Sequence, residues 1–213
     1  MQPPLDAVAV RVLGSLIEKE STTPDNYPLT LNALVAACNQ TSNRDPVMSL
    51  DEATVASALA ELSRRGLARE VHRSDSRAKR YRQTMSEALS LHPAETAAMC
   101  VLMLRGAQTP GEIRTRAARL FDFADVARVE LTLEALMTMS EPLVAQLPRR
   151  PGQKELRYAH LLSGEPDVDT EPAPTAGSAR ADRLETLEQV VEGLCAEVAE
   201  LRAELEAFRR EFQ

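Results

Sequence analysis

The chain has 213 residues, 44% of them hydrophobic but only 3% aromatic and none of them tryptophan, so its cores must be built from Leu, Val, Ile, Met and Ala, which favours helices. The formal charge of −7 is uneven: residues 1–162 hold 20 Lys and Arg against 19 Asp and Glu, and the remaining 5 and 13 fall in 163–213. The acidity therefore belongs to the tail and does not exclude a polyanionic partner for the body, while the lack of a basic-then-apolar leader or a bilayer-length apolar run leads us to expect a cytoplasmic protein without a membrane partner.

Asp6 is placed to cap a helix whose Val8, Ala9, Val12, Leu13, Leu16 and Ile17 share one face, so one stripe is expected to meet a core. The loop 20–28 holds two prolines, Leu31, Leu34, Val35 and Cys38 mark a short second helix, and 41–48 turns the chain. Ser49 and Glu52 have the spacing of a capping box, opening a third helix with Val55, Ala58, Leu59 and Leu62 inward and Gly66 at its end. Residues 67–72 and 79–83 read as a hairpin with polar 74–76 at its tip. Three helices and a two-stranded ribbon predict a winged helix over residues 1–84, with the third helix as the usual groove reader.

A second unit is predicted over 85–162. Pro93 and Glu95 begin a helix through Met99, Val101, Leu102 and Leu104, which Arg105 and Gly106 close. Thr109 and Glu112 form a reciprocal capping box with Pro110 at the first helical position, predicting a helix over 110–120. The earlier pair Thr23-Pro24, which also follows an apolar helix, reads as its echo. Asp122 is placed to cap a third helix with Val126, Val129, Leu133, Leu136 and Met137, and strand 143–147 should point Leu143, Ala145 and Leu147 inward before 148–152 reverses the chain into 156–161. Val55-x-x-x-Leu59-x-x-Leu62 parallels Val129-x-x-x-Leu133-x-x-Leu136, and Arg80-Tyr81 parallels Arg157-Tyr158, so the unit is read as duplicated.

Residues 163–181, rich in Pro, Glu, Asp, Ala, Thr and Ser, predict a disordered acidic linker. In 182–213, Leu184, Leu187, Val191, Leu194, Val198, Leu201, Leu205, Phe208 and Phe212 follow alternating steps of three and four, the seam of a coiled coil. A parallel pair would set Arg183 against Glu188, Glu197 against Arg202 and Glu204 against Arg209, so a homodimer is expected. The expected fold is mainly α with small β-hairpins (α+β): tandem winged-helix domains plus a C-terminal coiled coil.

The body resembles the bacterial YceH family. The resemblance covers roughly residues 5–165. It is carried by Thr23-Pro24-x-x-Tyr27-Pro28-Leu29, Ala37-Cys38-Asn39-Gln40, Asn43-Arg44-Asp45-Pro46-Val47-Met48, the stretch from Leu104-Arg105-Gly106 to Thr109-Pro110-Gly111-Glu112, Arg116-Ala117-Ala118-Arg119, and His160-Leu161-x-Ser163-Gly164-Glu165. The resemblance implies a tandem winged-helix fold and dimerisation, with no ligand or catalytic residues to carry over, and it leaves the heptad tail outside the shared region.

The favoured function is a dimeric DNA-binding transcriptional regulator. Eight basic residues, Arg64, Arg65, Arg69, Arg73, Arg77, Lys79, Arg80 and Arg82, face only Glu70 and Asp75 across 64–82, and Arg149 and Arg150 occupy the second ribbon's loop. Asp51, Glu52 and Glu61 burden the third helix, so wing and backbone contacts to double-stranded DNA are expected to dominate. The alternative is a protein-interaction scaffold without DNA binding, with 41–48 as recognition surface. No enzyme is expected: His72, His92 and His160 are scattered, and Cys38, Cys100 and Cys195 lack metal-ligand spacing. There is no phosphate-cradling glycine loop, and Asn43-Arg44-Asp45 reads as a turn lock, so no catalytic residue, cofactor or metal is assigned.

Overall fold

The computed structural model describes residues 4–71, 79–149 and 155–166, so the linker and heptad expectations beyond 166 lie outside the described residues. The described chain is mixed α/β, with seven α-helices and five short antiparallel strands. Residues 1–168 form one compact unit, and a single hydrophobic core runs through both of its halves.

The first half comprises α1 (Ala7–Thr22), β1 (Leu29–Thr30), α2 (Leu31–Cys38), α3 (Glu52–Arg64), β2 (Ala68–Val71) and β3 (Arg80–Gln83), with strand order β1-β3-β2. A short helix, α4 (Met85–Ala88), leads to the second half: α5 (Pro93–Arg105), α6 (Pro110–Ala117), α7 (Val126–Met137), β4 (Val144–Leu147) and β5 (Arg157–His160).

Both halves repeat the same local chemistry. The side chains of Thr30 and Thr109 cap α2 and α6, each eight residues long. Asp51 and Asp125 cap α3 and α7, accepting from the Thr54 and Arg128 amides at 2.7 and 2.8 Å. Tyr81 of β3 pairs with Leu29, while Tyr158 of β5 pairs with Gln108 through two backbone hydrogen bonds of 3.0 and 2.8 Å. The arginine before each tyrosine reaches the carbonyl just before that partner: Arg80 donates to Pro28 at 2.8 Å, and Arg157 donates to Ala107. The duplication therefore extends from helix order to individual hydrogen bonds.

These bonds correct the expected register. Thr109 corresponds to Thr30, not to Thr23; Thr23-Pro24 instead opens a 3-10 turn, Pro24–Asn26. Asp51 caps α3 in place of the Ser49 box, and Asp125 caps α7 in place of Asp122, because an Asp carboxylate reaches the amide three residues on. The inward alternation predicted for 143–147 also fails. Leu143 and Val144 are both buried, since the strand begins at Val144 while the Leu143 amide bonds the Leu136 carbonyl.

The largest departure from the one-stripe expectation is α1, where every residue from Ala9 to Ile17 is buried, including Arg11 and Ser15. A helix buried all round needs neighbours on every side. It has them in α2 and α3 of its own half and in α5 of the other, itself buried from Ala97 to Leu104. Gly14 permits the close approach: a β-carbon there would sit 2.9 Å from Leu104 Cδ2 and 3.2 Å from Met103 Cβ. Beside it the Cys100 thiol donates to the Gly14 carbonyl at 3.4 Å. Gly106, at φ 69°, then ends α5 in a conformation that a side chain would strain.

Candidate functional site: the basic ribbon and the cleft between the halves

The β2–β3 ribbon places several of the predicted contact residues, but its own fold already occupies most of them. The Arg65 guanidinium donates to Glu61 and Arg82 to Glu87, while Lys79 lies 3.2 Å from Glu70. Arg80 is half-buried against Pro28. Arg64 at the end of α3 and Arg69 on β2 are exposed and have no acidic partner among the described residues; Arg149 is also exposed. Arg73, Arg77 and Arg150 lie outside the described residues. On α3, Ala53, Thr54, Ser57 and Ala60 form an exposed face of small side chains leading to Arg64. Asp51 at its head is committed to capping, and its bonds from Thr54 hold the carboxyl below the usual carboxylate range.

The 39–50 loop is longer than its counterpart between α6 and α7, and it is held by charges that sequence reading did not connect. The Asn39 amide brackets the Leu50 backbone with two bonds of 2.8 Å. Arg44 turns inward until its side chain is fully buried, and meets Glu18 of α1 through paired contacts of 3.1 and 2.6 Å. It also donates to the Ala37 and Asn43 carbonyls and to Gln40 Oε1. Arg11, 2% exposed, donates to the Cys38 and Pro46 carbonyls; burial and the neighbouring Arg44 push its guanidinium below the usual value. The Asp45 amide bonds the Leu104 carbonyl at 2.9 Å, and Arg105 donates to Asn43 Oδ1. Asn43-Arg44-Asp45 thus locks a turn, and it also fastens the first half to the end of α5.

Beside this lock, α1, the 39–48 loop, α5 and α6 enclose a cleft of about 380 Å³. Lys19, Arg105, Arg116 and Arg119 line it, and Glu18 is its one acidic lining residue. Both Glu18 oxygens are held by Arg44. Arg116 has an ion pair with Glu112 at 3.4 Å, but the other Glu112 oxygen is engaged in the α6 cap. Cys100, Val101, Leu104 and Leu120 supply an apolar floor. The cleft gathers pieces of separate motif segments, among them Thr23, Gln40, Asn43, Arg105, Arg116 and Arg119. Sequence reading missed it because these residues lie on four elements. The available signal was the cationic run Arg114, Arg116 and Arg119 along and just after α6.

Burial pushes the Cys38 and Cys100 thiols upward, which disfavours the nucleophilic thiolate. His160 is a packed strand residue: burial lowers its pKa to about 4, and Nδ1 is shut off from water without a hydrogen-bond partner. Among the described residues, no cluster of three or more His, Cys, Asp or Glu is arranged to hold a metal, and no helix is long and apolar enough to cross a membrane.

Residues 5–153 match the family described as "Protein of unknown function, DUF480". The UPF0502 protein GSU0233 of Geobacter sulfurreducens is 51% identical over 98% of both chains, and a UPF0502 protein of Geobacter metallireducens is 50% identical over the whole of both. A third, from Solibacter usitatus, is 48% identical over 98% of both. These likenesses run through the heptad tail, which the motif resemblance had left outside the shared region. With end-to-end similarity of this order and the motifs noted above, the chain belongs to the UPF0502 (DUF480) family, in accord with its resemblance to YceH proteins.

Proposed function

We propose that this protein is a non-enzymatic, cytoplasmic, DNA-binding regulator, built from two winged-helix modules and dimerised by the heptads at 184–208. In this reading α3 enters the major groove, and Arg64 and Arg69 flank it as phosphate contacts. The observation that carries it is the outward face of α3, where Ala53, Thr54, Ser57 and Ala60 are small enough for close approach and the two adjacent arginines have no acidic partner among the described residues. Lys79, Arg80 and Arg82 are assigned a smaller part, because each already has a partner.

A second reading, a surface for protein partners, is favoured at α7. There Glu130 and Glu134 would repel phosphate, while Leu131 is 57% exposed and Val126 38%. Fluorescence anisotropy with a mixed-sequence duplex separates the two. The parent should bind at 50 mM salt, and Arg64→Ala/Arg69→Ala should weaken binding on every sequence, with a log-affinity against log-salt slope shallower by about 0.9 per lost contact. An unchanged slope in the folded variant removes this surface from consideration. No binding by the parent at low salt removes the DNA reading and leaves protein docking.

A further inference from the structure

We propose that the exposed face of α7 packs antiparallel against α7 of a second copy of this chain, about a twofold axis beside Leu131. The contact goes beyond the regulator reading, holds whether or not α3 enters DNA, and is separate from the heptad seam.

The face is apolar at its centre. Leu131 is 57% exposed, the most of any large hydrophobic side chain among the described residues. Ala127 and Ala135, one turn to either side, are exposed and small enough to let another helix approach. Next to Leu131 runs a groove of about 300 Å³ whose lining includes Pro93, Ala94, Phe121 and Ala135, apolar surface on which the partner's Leu131 can anchor.

Charge selects the occupant and its direction. Helices α3, α5 and α6 each carry an acid in the first turn and a base in the last, as the helix dipole favours. Helix α7 has neither: apart from the capping Asp125, Arg128 stands in its first turn and Glu134 in its last. Neither side chain has an ion pair among the described residues, and Glu95, which shares the groove with Arg128, is turned to the His92 amide at 2.7 Å. Glu130 and Glu134 add a like-charge pair one turn apart.

An antiparallel copy corrects all of this at once. Reversed about Leu131, Arg128 comes level with the partner's Glu134, and Ala127 with the partner's Ala135, because each pair is equally spaced before and after Leu131. The partner's acid then faces the positive end of α7 and the partner's base its negative end. A face that is its own complement is the signature of an isologous contact, and an unrelated partner would require neither the symmetry nor the reversed charges.

Disulfide trapping in the full-length protein tests this. Cys38 and Cys100 are buried, and Cys195→Ser removes the remaining thiol from every variant. On oxidation by glutathione disulfide, Leu131→Cys should form a linked dimer several-fold faster than Ser57→Cys, an exposed site on α3. Arg128→Glu or Glu134→Arg, added singly to Leu131→Cys, places like charges together at both ends and should slow trapping by about fivefold. The double charge swap should recover the parent rate, and an equal mixture of the two single variants should be trapped chiefly as the heterodimer, in which both pairs are opposite in sign. Circular dichroism establishes that each variant is folded. A rate at 131 no higher than at 57, which would leave the face to an unrelated protein, overturns the proposal. So do single variants trapped at the parent rate, or a double swap and mixture that fail to recover. The assay contains no DNA, so its failure leaves the regulator reading to the anisotropy measurement.

Discussion

Replacing Arg44 with methionine keeps the aliphatic stem but removes the guanidinium that ties Glu18, Gln40 and the Ala37 and Asn43 carbonyls together. The Arg44 side chain is 0% exposed and that of Glu18 is 12% exposed, so water cannot readily replace what is lost. Breaking a buried pair by removing one partner costs about 3–5 kcal/mol. The lower end, about 3 kcal/mol, is expected here because Lys19 lies 3.8 Å from Glu18 and shares its charge. With a urea dependence of about 2 kcal/mol per molar, the unfolding midpoint should fall by roughly 1.5 M. Lys79→Met, which breaks a pair exposed at 65% and 31%, should cost less than about 1 kcal/mol. Urea unfolding of Arg44→Met, Glu18→Gln and the double variant closes a cycle, with an expected coupling of about 2 kcal/mol. An Arg44→Met loss below about 1 kcal/mol, or coupling within about 0.5 kcal/mol of zero, would refute the view that this pair fastens the 39–50 loop to α1.

Two further outcomes are expected. Burial holds the His160 ring neutral to about pH 4, whereas the unfolded chain takes up its proton near the ordinary pKa of 6.5. Its contribution is therefore fully present above pH 6.5 and declines as pH falls towards 4, for a total of about 3 kcal/mol. Urea midpoints for the parent and His160→Gln should converge in pH dependence above 6.5 and diverge below it, and parallel profiles across that window would defeat the assignment. Ending the chain after residue 183 deletes the whole heptad seam and should shift sedimentation equilibrium towards monomer. A dimer of unchanged strength would place the interface in the body instead.

Much of the local structure was legible in the sequence because its causes are local. Asp6 caps α1 and the Thr109–Glu112 box opens α6, since each needs only a side chain and an amide three residues away. The duplication was legible for the same reason: Val55 and Val129, like Arg80 and Arg157, occupy equal places along equal elements. That register carried an unused consequence, because counting back four residues from each valine reaches Asp51 and Asp125, the caps that are formed. β1 escaped notice because two residues have no usable periodicity.

Partnership between distant elements was decided only by the tertiary structure. Periodicity gave α1 one apolar stripe, but Arg11 and Ser15 are buried too, because α5 covers its other side over the gap left by Gly14. The basic ribbon looked like a free cationic surface in sequence, yet Glu70 comes within reach of Lys79 once β2 and β3 pair, while Arg65 and Arg82 meet Glu61 and Glu87, four and five residues away. The cleft is the counterpart: Lys19, Arg105, Arg116 and Arg119 are spread over a hundred residues, and Glu18, which Lys19 meets at 3.8 Å, is also held by an arginine 26 positions away. Sequence sets caps, periods and local charge through interactions within a few residues. Which charges remain unpaired is fixed by folding, because ion pairs depend on distance through space rather than separation along the chain.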